Sequence, residues 1–140
     1  MGTSADRRHD EAHLWAPAIA LVAVQVVHGA IPGPGENGGP PLGLVVGGVL
    51  LIASVAVVLG LNARRSWARL LLAITGAAVA AGFLLYHAIP VKTPLNYPYW
   101  GHGHPSAGVD QWAPVVAAIA VGTWCALAAT ARIPRLSPSA

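Results

Sequence analysis

The chain has 140 residues, 55% of them hydrophobic and only 9% charged, with a formal net charge of +3. A water-soluble domain carries about a quarter charged residues, so this composition excludes a solvated globular surface. The few cationic groups flank apolar runs instead of gathering on one face, which also argues against a nucleic-acid interface. The length suits a single integral membrane domain, residues 1–140. The one cysteine, Cys125, lies inside an apolar run, so an intramolecular disulfide and membrane-embedded thiol-pair chemistry are both ruled out.

Residues 1–11 read as a short polar tail. The first apolar run spans about 14–31 without a charge, or roughly 27 Å of helix, enough to cross the hydrocarbon core. Trp15 marks its inner interface, and Pro17 is expected in the first turn, where a missing N–H does no harm. No small-residue cleavage site precedes a mature domain, so the run is expected to be a retained helix and not a signal peptide. The Pro/Gly-rich segment 32–41 ends it.

Further runs span about 42–61, 70–89 and 112–131, each uncharged and about 20 residues long. They are continuous and not alternating, and only helices or closed barrels satisfy backbone groups in lipid. The expected fold is therefore all-α, a four-helix transmembrane bundle. All seven arginines lie in the tail, the 62–69 connection or the C-terminal segment, whereas the loops 32–41 and 90–111 carry only Lys92. The positive-inside rule then places both termini in the cytoplasm and both of those loops outside. Arginine outnumbers lysine seven to one and alanine is abundant, as in GC-rich bacterial genomes, so a bacterial-type plasma membrane is the expected location.

An internal echo joins the ends of the first and third helices: His28-Gly-Ala-Ile-Pro32 and His87-Ala-Ile-Pro90. It is compatible with two copies of a helical hairpin, and equally with the likeness that apolar sequences share. Small residues should let helices approach closely: Gly43, Gly47 and Gly48 in the second, and Gly76, Ala77, Ala80, Ala81 and Gly82 in the third. They either pack the bundle or leave a face for an oligomer. Gln25, Ser54, Thr75, Thr123 and Cys125 are the polar set within the helices, suited to interhelical or back-bonded hydrogen bonds.

Chemistry, if any, concentrates at the outer face. His28 and His87 should lie at one depth on two parallel helices, and His102 and His104 form a His-Gly-His pair in the 90–111 loop. Imidazoles so placed are candidate ligands for a haem iron or for copper or zinc. Each also fits a plainer role: a helix-end ring bonded to a carbonyl or headgroup, or a polar loop residue. No ligand spacing of a known metal motif accompanies them. The same loop is stiffened by proline and carries Tyr97, Tyr99 and Trp100, with Trp112 at its end. It is expected to be ordered and to act as a partner-docking surface, or as an aromatic belt on the headgroups.

The uncharged membrane interior disfavours a transporter that needs a buried carboxylate. No phosphate-binding loop or Ser/His/Asp set can be assembled, so the reading is non-enzymatic. The leading expectation is an accessory or assembly subunit of a larger membrane complex, in contact with lipid and with a membrane-protein partner. The alternatives are a metal- or haem-binding membrane protein using His28, His87, His102 and His104, and a small homo-oligomeric channel or exporter.

Overall fold

A computed structural model of the protein describes residues 4–31, 41–90 and 107–131. Helix α1 runs Ser4–Ala30, α2 Pro41–Asn62, α3 Trp67–Phe83 and α4 Val109–Thr130, and α3 passes directly into a π-helical turn, Leu84–Ala88. No strand occurs among the described residues. Four segments are long and apolar enough to span a membrane: Ala12–Ala30, Leu42–Asn62, Trp67–Ala88 and Val109–Thr130. The protein has the architecture of a multi-pass membrane protein.

Two boundaries differ from the sequence expectation. Helix α1 begins at Ser4, well before the apolar run, because hydrophobicity marks where a helix crosses lipid and not where it starts. The charged segment ahead of it supplies the good helix formers Ala5, Arg7, Arg8, Glu11 and Ala12 and no Gly or Pro to break the helix. Pro17 consequently lies inside the helix and not in its first turn. Its ring deprives the His13 carbonyl of the usual donor, and the residue is accommodated by full burial in the bundle. The Sγ–H of Cys125 donates to the Pro17 carbonyl across the α1–α4 interface at 3.2 Å. Helix α4 likewise starts earlier than expected, at Val109, where the Gly108 N–H donates to the Gln111 side chain at 3.0 Å. Asp110 in the first turn suits the positive end of the helix dipole.

The helices stand in a square in chain order. Helix α3 makes its most extensive pairing with α4, α1 packs on α4 and α2, and α1 and α3 face each other across a diagonal with little backbone approach. Glycine explains the tightest seam. A Cβ on Gly122 would fall 2.6 Å from the Gly76 carbonyl, and one on Gly76 would fall 2.7 Å from the Gly122 carbonyl. The two backbones are thus in direct contact, the close approach that small residues permit in membranes. Ala80, also expected at an interface, packs on Gly122. Gly47, Gly48 and Gly82 do not take part in packing: the space where their Cβ would stand is open.

The interior holds Leu14, Leu21, Val57, Leu72, Val79 and Val115 with Ala18, Ala68, Ala118 and Cys125. The exterior is equally apolar, with Leu44, Ile52, Leu70 and Leu127 all more than 60% exposed. Such a surface belongs in lipid, not in water. One buried polar relay joins α1 to α2. The Gln25 amide donates to the Leu21 carbonyl at 3.0 Å and to Ser54 Oγ at 2.7 Å, and Ser54 donates to the Leu50 carbonyl at 2.8 Å. Thr123 bonds back to Ile119 at 2.8 Å.

One end of the bundle gathers Arg64, Arg65 and Arg69. The α2–α3 connection there is tighter than a 62–69 loop. Arg64 adopts φ 52°, its N–H donates to Leu61, and the Arg65 N–H donates to Gly60. These two bonds define a Schellman C-cap, with arginine where glycine is usual. Arg69 does more than mark an interface: its Nε donates at 2.6 Å to the Ala129 carbonyl, one of the last acceptors of α4. Thr130 covers neighbouring carbonyls of Ala126 and Leu127.

Candidate functional site at the histidine end

The opposite end of the bundle is closed by aromatic rings. His28 comes from the last turn of α1, and His87 comes from the π-helical turn that ends α3. Their ring centroids are 5.1 Å apart at an interplanar angle of 67°. The two imidazoles therefore meet across the diagonal of the square, where the helix backbones themselves hardly touch.

The local sequence explains how His87 gets there. Residues Leu84–Ala88 form the wider π turn, which changes the angular position of every following side chain relative to a continued α-helix. Leu84 and Leu85 face outward, and His87 is 5% exposed. Turns of this kind recur at functional sites because they cost backbone regularity.

Two residues outside the candidate ligand set complete the cluster. Phe83 lies 4.6 Å from His28, edge to face, and 5.7 Å from His87. Tyr86 stands 4.8 Å from His87 at 81°, and its phenol lies directly over Gly43 of α2. A side chain at Gly43 would displace the tyrosine, which accounts for the glycine at that position. Phe83 was legible in principle, since it precedes His87 by one helical turn on the same helix. Tyr86 was not, because its direction depends on the π turn.

Trp112 lies near the start of α4 at this same end and is half-buried. His102, His104, Tyr97, Tyr99 and Trp100, and with them most of the loop expected to be ordered, lie outside the described residues. Among the described residues no group of three or more His, Cys, Asp or Glu side chains converges on a point. At the arginine end, His13 has both ring nitrogens buried without a hydrogen-bond partner among the described residues, as does Arg69 Nη2.

The arrangement sets two imidazoles against Phe83 and Tyr86, near the boundary of a membrane-spanning segment. Chemically this suits coordination of a soft or borderline metal ion, or a tightly packed aromatic plug that fixes α1 against α3. No known protein family, no curated protein and no solved structure matches this chain.

Proposed function

We propose that this protein is a non-enzymatic accessory or assembly subunit of a larger complex in a bacterial-type plasma membrane. Both termini are cytoplasmic and the histidine end faces outward. The arginines of the tail, the α2–α3 turn and the C-terminal segment support that orientation.

The observation that carries the docking role is the first half of α2. From Leu42 to Val49 every residue except the half-buried Gly43 is exposed. Gly43 is filled by Tyr86, Gly60 by Trp67, and Gly76 by Gly122 and Cys125, whereas Gly47 and Gly48 are left open, as are Gly29 and Gly82. Gly47 and Gly48 form a notch with nothing in it, on the most apolar helix of the chain. A partner transmembrane helix fits such a notch by the same close packing that joins α3 to α4.

The test is isolation from native membranes in mild detergent. A stoichiometric membrane-protein partner is the expected result, lost on Gly47→Leu/Gly48→Leu while the isolated chain keeps its stability. A monodisperse solitary chain would refute the reading. Recovery of a second copy of the chain alone would instead favour the oligomeric channel or exporter.

A second reading has its own support in the meeting of His28 and His87. Under it the protein binds a metal or haem at the outer face, through imidazoles drawn from His28, His87, His102 and His104. Metal content of the natively purified protein, resolving iron, copper and zinc, tests it.

A further inference from the structure

The arginine end presents charge whose complement lies in the bilayer. Arg64 and Arg65 are exposed and sit in the connection between the spans Leu42–Asn62 and Trp67–Ala88, where the chain leaves the hydrocarbon. The turn fixes them there, since the N–H groups of Arg64 and Arg65 donate to Leu61 and Gly60. No carboxylate occurs between Glu36 and Asp110, and Asp110 opens α4 at the opposite end. Neither α2, α3 nor their connection therefore supplies a counter-charge. Arg69 is committed elsewhere, with its Nε on the Ala129 carbonyl of α4.

Directly below these cations the surface is apolar. Trp67 lies against Gly60 yet remains 47% exposed, and Leu70, one turn further along the same face of α3, is 64% exposed. Two guanidinium groups above an uncovered aromatic and aliphatic strip match one kind of molecule. We propose that the α2–α3 turn binds an anionic phospholipid, with Arg64 and Arg65 on the headgroup phosphate and Trp67 and Leu70 along the acyl chains. Guanidinium groups suit phosphate through paired, charge-assisted hydrogen bonds. Anionic lipids are concentrated in the cytoplasmic leaflet, the side to which the arginine end is assigned. A free phosphate would leave Trp67 and Leu70 uncovered, and a soluble acidic partner would not reach them beneath the membrane boundary.

The experiment reconstitutes the full chain in phosphatidylcholine vesicles containing a minor fraction of phosphatidylglycerol. Tryptophan fluorescence is quenched by acyl-chain-brominated lipid of one headgroup at a time, and the signal lost in Trp67→Phe isolates the site. Brominated phosphatidylglycerol should associate there at least about fivefold more strongly than brominated phosphatidylcholine, the contribution of one arginine at an anionic surface. Arg64→Gln/Arg65→Gln should bring the ratio close to one, whereas Arg64→Lys/Arg65→Lys should keep a preference. Arg132→Gln/Arg135→Gln removes the same charge from the C-terminal segment and should leave the ratio unchanged. Arg65→Gln alone spares the left-handed Arg64 and should give an intermediate ratio, so a folding defect at Arg64 does not decide the outcome.

Equal association of the two lipids at Trp67 would overturn the proposal. So would equal losses from the turn pair and the C-terminal pair, which would show diffuse attraction and no site. Displacement of the lipid by inorganic phosphate would assign the arginines to a free anion instead. A lower thermal midpoint of Arg65→Gln in pure phosphatidylcholine would reveal an acceptor within the protein, and the lipid would lose its role as counter-charge.

Discussion

Alanine at Gly122 should separate close backbone packing from ordinary helix propensity. The new Cβ would stand 2.6 Å from the Gly76 carbonyl and 2.9 Å from the Ala80 amide nitrogen. Both are backbone atoms, so neither can rotate aside. Ordinary contact begins at 3.4 Å, and α3 and α4 must therefore part by roughly 0.8 Å, a gap that forfeits a quarter to a half of each dispersion contact along the seam. Overpacking of this kind costs about 1–3 kcal/mol, offset by up to about 1 kcal/mol from the better helix propensity of alanine. The net expectation is a loss of about 1–2 kcal/mol. Gly48→Ala is the control: it meets nothing within 4 Å, so it should be neutral or gain up to about 1 kcal/mol. Reversible unfolding of the two purified variants in the same detergent reads the difference. If Gly122→Ala is as stable as Gly48→Ala, the helices are not held at backbone contact and the packing argument fails. Gly76→Ala should resemble Gly122→Ala, and the double variant should cost less than the sum, because both part the same seam.

Other consequences follow from single contacts. Ser54→Ala removes the α1–α2 hydrogen bond but leaves the Gln25 amide bonded to Leu21; the expected loss is about 0.6 kcal/mol and no more than about 1.7, read from the same unfolding assay. Arg64→Gly relieves a left-handed arginine and should raise the thermal midpoint, by about 1 kcal/mol of stability; a lower midpoint would mean the guanidinium holds the turn. His13→Leu replaces a ring whose two buried nitrogens have no partner among the described residues and should be neutral or stabilising, whereas a large loss would reveal a partner for the ring. For orientation, Asn37→Cys in a Cys125→Ala background should react with a membrane-impermeant thiol reagent on intact cells, and Arg64→Cys should not. The reverse pattern would invert the assigned topology.

Lipid-spanning segments were legible from composition because a bilayer imposes one requirement that any reader of the sequence can apply: about 20 uncharged apolar residues with internally satisfied backbones. All four spans follow from that rule. Helix ends were not, because polarity reports the membrane boundary while α1 continues past it to Ser4. The shared depth of His28 and His87 was also readable, from two helices that run the same way and end on similar residues.

Which side chains meet is a different kind of fact. Uniformly apolar helices have no polar face to say which side points inward, so rotation about each axis is set by packing alone. Glycine spacing marked Gly47 and Gly76 alike as candidates, yet only Gly76 finds a facing backbone, because only α4 supplies Gly122 opposite it. The same holds at the histidine end. A π-helical turn sets the direction of Tyr86 and His87, and no local residue pattern announces it. Sequence alone determined that this chain has helices suited to lipid and histidines at one end; tertiary packing decided that two of those imidazoles share a contact across the bundle.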